Sequence, residues 1–220
     1  SRHLVDFTQN YILSNEEVDG VFFDMVSEGI SWVNGGNVDL NGDGQKDNAA
    51  WLDQEWLSRT EYLLDYARAN LKTDYIIING SSNPLLQPSV NGRMFETFPL
   101  RWDNNGEWGK IMQGWKKNKS NNKRPLLTIV NTNTANTGGS DNYRQMRYGL
   151  TSALLEDGYF SYDYGDKDHG QLWWYDEYSV NLGSAISAAS SKKQSNNYQA
   201  DVCRRDFTNG LVVANSTSEE

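Results

Sequence analysis

Short continuous apolar runs alternate along the chain with longer stretches in which apolar residues recur every three or four positions. Leu4, Val5, Phe7, Tyr11 and Ile12 keep helical spacing and predict a helix over 3–14. GVFF at 20–23, entered through the polar EEVDG, predicts a short buried strand, and 25–48 reads as a long loop. Over 51–71 the stripe Leu52, Trp56, Leu63, Leu64 and Ala67 predicts an amphipathic helix. DYIIING predicts a strand over 75–79 and GRMFETF another over 93–97; RPLLTIVN and GYFSYD predict two more. Helices are predicted between them. GEWGKIMQGWKKNK carries lysines in its last turn, where the negative end of the helix dipole favours them. SDNYRQMRYGLTSALLED starts at Ser140 or Asp141, both of which suit an N-cap.

Strands that are near-continuous apolar runs, alternating with helices, predict an α/β fold with a parallel sheet buried on both faces. A doubly wound sheet and a (β/α)8 TIM-barrel both fit. No phosphate-cradling glycine motif follows any strand, which speaks against nucleotide binding. Polar residues recur instead at or just past the strand ends: Asp24, Asn79, Glu96, Asn131 and Asp163. A barrel builds its active site at that carboxyl-end rim. Five strands are countable where a barrel has eight. The expectation is therefore a fragment holding strands 4 to 8, with 1–180 as a partial barrel. Residues 181–220 are expected to be a post-barrel segment and the start of a β-rich region, with RRDFTNGLVVANSTSEE left without a pairing partner. Two open sheet edges would then invite self-association unless another segment covers them.

Charge and composition narrow the partners. A net charge of −9 and a pI near 4.8 disfavour nucleic acid. No apolar run is long enough to span a membrane, and no signal peptide is visible, although a chain beginning at Ser1 leaves room for a lost leader. One cysteine, Cys203, rules out an internal disulfide and a cysteine zinc site and is expected as a buried thiol. Two histidines are too few for a histidine-rich metal centre. Eight Trp and twelve Tyr fill cores but also stack on the apolar faces of sugar rings, and abundant Asn hydrogen-bonds hydroxyls in both directions. The composition leans toward carbohydrate.

DLNGDGQKD sets oxygen donors at Asp39, Asn41 and Asp43, a glycine at Gly44, a backbone carbonyl at Gln45 and Asp47 at the ninth position. That is the first half of an EF-hand-type calcium loop. Position twelve is Ala50, so Asp53 would have to substitute. A simple Asx-rich turn is the other reading. Calcium, if bound, would brace the long loop and take no part in chemistry.

MRYGLTSALLEDGYFSYDYGDKDHGQLWWYDEY, together with DGVFFDMV, DLNGDGQKD and CRRDFTNGLVVANST, resembles the glycoside-hydrolase-like TIM-barrel proteins of bacteria and metagenomes, the hypothetical glycosyl hydrolase family numbered fifteen in particular. The resemblance covers most of the chain and is densest at 146–178. It implies a (β/α)8 barrel followed by a C-terminal β region. Glycoside hydrolysis needs two carboxyl groups. Barrel glycosidases of the α-galactosidase type place them on strands 4 and 6, so the resemblance makes Asp24 the nucleophile and Glu96 the general acid/base of a retaining hydrolase. Each could equally be a rim acid that orients other groups.

Asp163, Asn79 and Asn131 are candidate hydroxyl binders, and His169, Trp173 and Trp174 candidate substrate contacts; a structural hydrogen bond or core packing is the alternative for each. A non-catalytic carbohydrate-binding protein on a degenerate barrel is the competing function. An amidase or deacetylase would want a transition-metal site or a nucleophile elbow, and neither motif is present. Calcium, acidic charge and a glycan substrate favour an extracellular or cell-surface location.

Overall fold

A computed structural model describes residues 1–99, 104–191 and 202–217. Five strands form one sheet in the order β1-β2-β3-β4-β5, and every described pairing within it is parallel. The chain divides into two compact units, 1–93 with 121–126, and 94–120 with 127–220. Among the described strands the order runs sequentially without reversal.

In the first unit, α1 (Arg2–Phe7) runs straight into one π-helical turn, Thr8–Ile12, so the predicted helix over 3–14 is split. Strand β1 (Gly20–Val26) extends further than its apolar run, shortening the predicted loop to 27–48, which itself contains a 3-10 turn at Val33–Gly36. Helix α2 (Ala49–Asn70) starts where the Asn48 side chain accepts the Trp51 N–H, an N-cap that the apolar stripe alone could not locate. Its buried face, Leu64 and Ala67, packs with Val5, Val26, Ile76 and Ile78, the last two from β2 (Tyr75–Gly80).

In the second unit, the end of β3 (Gly92–Phe95), α3 (Trp108–Asn118), β4 (Ile129–Asn133), α4 (Tyr143–Leu155) and β5 (Tyr159–Asp163) continue the alternation. Period-two alternation along the strands sorts the side chains. Val130, Thr132, Phe160 and Tyr162 point toward the helical layer, where Gly149 of α4 lets the helix settle onto Thr132 and Phe160. Asn131, Asn133, Ser161 and Asp163 occupy the opposite face.

The C-terminal β segment does not lack a partner. β7 (Val202–Phe207) and β8 (Gly210–Asn215) form an antiparallel hairpin, with β6 (Ser190–Ser191) alongside β7. Cys203, Val212 and Ala214 are buried in the core that also holds Phe95, Trp115 and Val130. The buried Arg205 ties the hairpin to the end of α4, bonding the Leu154 carbonyl at 2.8 Å and the Asp157 carboxylate at 2.7 Å. The expectation of an unpaired end fails because each strand of the segment pairs with its neighbour in the chain across the short Thr208–Asn209 turn.

Candidate active site

Asp24 owes its position to a β-bulge. Phe23 pairs with Ile78 and Val26 with Gly80, so β1 spends one residue more than β2 over this interval. Met25 takes a left-handed φ of 56°, and Gly80 is required opposite Val26, since a Cβ there would lie 2.2 Å from the Val26 carbonyl oxygen. The bulge leaves Asp24 exposed, its Oδ1 accepting from the Met25 N–H at 2.8 Å and from Asn79 Nδ2 at 3.0 Å. Asn79 therefore serves Asp24 directly. A further acid that the sequence reading missed, Glu28, sits just past the same strand and accepts from Ser81 Oγ at 2.8 Å and Asn83 Nδ2 at 3.3 Å. The SSN that follows β2 was the available signal.

Glu96 follows β3 in the second unit, and β4 pins the turn that carries it. The Thr97 N–H donates to Asn131 Oδ1 at 3.3 Å, the Phe98 N–H to the Asn131 carbonyl at 2.8 Å, and Asn133 Nδ2 to Thr97 Oγ1 at 2.9 Å. Asn131 Nδ2 also reaches Ser161 Oγ at 3.0 Å and Asp163 Oδ2 at 2.8 Å. The loop after β5 folds back through bonds from Asp168 N–H to the Gly165 carbonyl and from Tyr164 N–H to Gln171 Oε1. This brings His169 Nδ1 to 2.9 Å from Asp163 Oδ2, with His169 Nε2 at 3.5 Å from Glu96 Oε1. Four of the predicted residues, Glu96, Asn131, Asp163 and His169, thus form one network.

The environments within it differ. The Asp163 side chain is 8% exposed, whereas Glu96 is 32% and His169 45% exposed. The hydrogen bond to Asp163 pushes the His169 pKa above its ordinary value against the opposing cost of burial, with the charges of Asp163, Glu96 and Asp166 adding to the rise. Asp163 Oδ1 is buried without a hydrogen-bond partner among the described residues.

The two tryptophans separate. Trp173 packs against Tyr162, ring centroids 5.8 Å apart, at the margin of a small core with Met146 and Tyr175. Trp174 is 73% exposed and lines a groove of about 480 Å³ together with Tyr143, Arg147 and Glu177. Arg147 lies over the Tyr143 ring and is paired with Glu177.

In the 39–47 loop the oxygens turn inward onto the backbone. Asp39 accepts from Gly42, Asp43 and Gly44 N–H groups, Asn41 from Asp43, and Asp43 from Gln45. Asp47 accepts from Leu40 N–H and Asn41 Nδ2. These bonds are those of an Asx-rich turn, yet they leave carboxylate lone pairs unspent. Asp53 does not join them; its carboxylate takes the Ile30 and Ser31 N–H groups and the Ser31 hydroxyl, which hold its pKa below the ordinary value. Among the described residues no three His, Cys, Asp or Glu side chains converge enough to hold a metal, so a cation here would depend on the Asn41 amide and the Gln45 carbonyl as well.

A family model described as "Hypothetical glycosyl hydrolase family 15" matches residues 3–211. The chain belongs to that family. The match runs through both compact units and takes in every residue of the network around Asp163. A search of curated proteins found no match for this glycosyl hydrolase family member. No helix among its described residues is long and apolar enough to cross a membrane.

Proposed function

We propose that the chain cleaves glycosidic bonds in a poly- or oligosaccharide by a retaining two-carboxylate mechanism, with Glu96 as general acid/base and Asp24 as nucleophile. The observation that carries this reading is the setting of Glu96: a partly exposed carboxylate on a turn fixed by β4, faced by an imidazole that a buried acid holds. In the first step an Asp24 oxygen bonds to the anomeric carbon. The glycosidic C–O bond breaks with its electron pair going to the departing oxygen, which takes the Glu96 proton. In the second step water gives a proton to Glu96 and its oxygen displaces Asp24 from the sugar. Asn79 orients Asp24 for the attack through its 3.0 Å hydrogen bond.

The test is hydrolysis of a panel of aryl glycosides by the wild type, Asp24→Asn and Glu96→Gln. Both variants should lose turnover while still binding the product sugar, and azide should restore glycosyl transfer to Asp24→Ala. Full turnover in either carboxylate variant would remove that residue from the mechanism. The competing reading is a non-catalytic carbohydrate-binding protein, favoured by the exposed Trp174 indole beside Tyr143 and Arg147. It is separated by a wild type that binds glycans and turns none over.

The (β/α)8 barrel is part of the same proposal, supported by the sequential parallel strand order and by family membership. Its outer strands here, β1 and β5, are where self-association would occur. Calcium held by Asp39, Asn41, Asp43, Asp47 and the Gln45 carbonyl would brace the 27–48 loop, with no chemical step passing through it. An extracellular or cell-surface location is proposed on the acidic charge and the glycan substrate.

A further inference from the structure

His169 stands between two acids but belongs to neither strand, and its loop is folded back to place it there. Its Nδ1 is committed to Asp163, whose Oδ2 also takes the Asn131 amide, so the anchoring acid is itself fixed from β4. The ring therefore has one nitrogen free to act, Nε2, and that nitrogen faces Glu96 Oε1 at 3.5 Å.

We propose that His169 is a positioning residue for Glu96, held through Nδ1 by Asp163 so that its Nε2–H meets the carboxylate that forms on Glu96 when the proton leaves for the departing sugar oxygen. The inference rests on the acid/base reading of Glu96. The balance is simple: the Glu96 O–H bond breaks, the new O–H bond forms on the leaving oxygen, and the charge left on Glu96 is met by the imidazolium. A preorganised charge aimed at where charge develops lowers the barrier without reorganising at the moment of reaction. Asp163 supplies a counter-charge that favours the protonated form of His169, and its burial makes that interaction stronger than it would be in water. The charged groups facing His169 among the described residues are Asp163 from β5, Glu96 from the β3 turn and Asp166 from its own loop; the first two touch it.

The experiment follows the His169 imidazole by NMR across a pH titration of the full chain. With two histidines in the sequence, a His3→Gln variant assigns the resonances. Glu96→Gln should move the His169 midpoint down, and Asp163→Asn should move it down further. The Glu96 variant decides the matter because its side chain is partly exposed and the fold should tolerate the change, whereas Asp163 is buried. An unchanged midpoint in Glu96→Gln overturns the proposal. The second arm is the pH profile of aryl glycoside hydrolysis. His169→Gln should lower kcat on the order of 10–100-fold with little change in KM, less than general acid–base catalysis itself contributes, and should move the alkaline limb of the profile, set by Glu96 losing its proton, to higher pH. If Glu96→Gln abolishes turnover while His169→Gln keeps the wild-type profile, the positioning role falls and the Glu96 assignment survives. If Glu96→Gln shifts the His169 midpoint but retains full turnover, the contact survives and the acid/base assignment falls, taking the positioning role with it.

Discussion

Asn131 donates from β4 to Asp163 on β5, Nδ2 to Oδ2 at 2.8 Å, and both side chains are buried. The bond runs diagonally: in register Asn131 lies opposite Ser161, and Asn133 opposite Asp163. One amide thereby satisfies an acid, a hydroxyl and, through Oδ1, the backbone N–H of Thr97. Asn131→Leu keeps the volume and removes all three. Hydrogen bonds to charged groups contribute about 1.5–3 kcal/mol each, and the change leaves the buried Asp163 carboxylate with His169 Nδ1 but without its amide donor. The variant should lose roughly 2–4 kcal/mol of stability, read as a drop in the urea midpoint with an unchanged m-value. A loss under 1 kcal/mol would mean that His169 alone suffices to hold Asp163.

Two helical glycines should respond with opposite signs. At Gly149 in α4 a Cβ would lie 2.5 Å from both Phe160 and Thr132, side chains locked in the sheet. Gly149→Ala should therefore destabilise by about 1–3 kcal/mol through overpacking. At Gly114 in α3 a Cβ would meet nothing within 4 Å. Gly114→Ala should stabilise by about 0.5–1 kcal/mol, because alanine loses less backbone freedom on folding. Thermal unfolding of the two variants side by side checks the pair; equal shifts would refute the tight seating of α4 on the sheet.

What the sequence made legible, and what it hid, divides along the same line. Strand and helix identities follow from the apolar runs and the helical spacing, and the Ile76–Ile78 segment could hardly be anything else, but the expected burial of both sheet faces does not hold for the described strands: Phe22 of β1 and Tyr159 of β5 are exposed, and β2 buries Ile76 and Ile78 alone. The acids at the strand ends were visible for the complementary reason: Asp24, Glu96 and Asp163 each interrupt an apolar run. What no period encodes is a one-residue bulge. The Met25 φ and the need for glycine at position 80 appear only when two strands are laid together, so the setting of Asp24 was out of reach. The same holds for His169, six residues beyond Asp163 across a loop closed by Gly165 and Gln171; spacing in the chain carried no hint that its ring turns back onto the strand end. The two adjacent tryptophans looked equivalent in sequence, and only packing against Tyr162 distinguishes Trp173 from Trp174.

The His169–Asp163 contact links stability to pH with a definite sign. The folded pKa of His169 is raised above its ordinary value, chiefly by the Asp163 hydrogen bond. Its contribution is therefore fully present below the unfolded pKa, near 6.5. It is lost as pH rises through the higher folded value. His169→Gln should cost more stability at pH 5.5 than at pH 9, measured as the difference in denaturant midpoint between variant and wild type at each pH. The contact is partly exposed, so the difference should be modest and should shrink further in high salt. A cost that grows with pH would reverse the assignment.

The 39–47 loop allows calcium binding to be separated from turn chemistry. Asp39 accepts three backbone N–H groups, so its loss would harm the loop with or without an ion. Asp43 accepts the Gln45 N–H at its Oδ1, and Asp43→Asn preserves an acceptor there while removing the charge that a hard cation requires. Calcium at a hundred times its dissociation constant would add about 2.7 kcal/mol to the wild type. In a chain of this length that raises Tm by roughly 5–10 °C. The shift should be absent with EDTA and reduced or lost in Asp43→Asn, whose Tm without calcium should match the wild type. A wild-type Tm indifferent to millimolar calcium would leave Asp39, Asn41 and Asp43 as the Asx turns their hydrogen bonds already form.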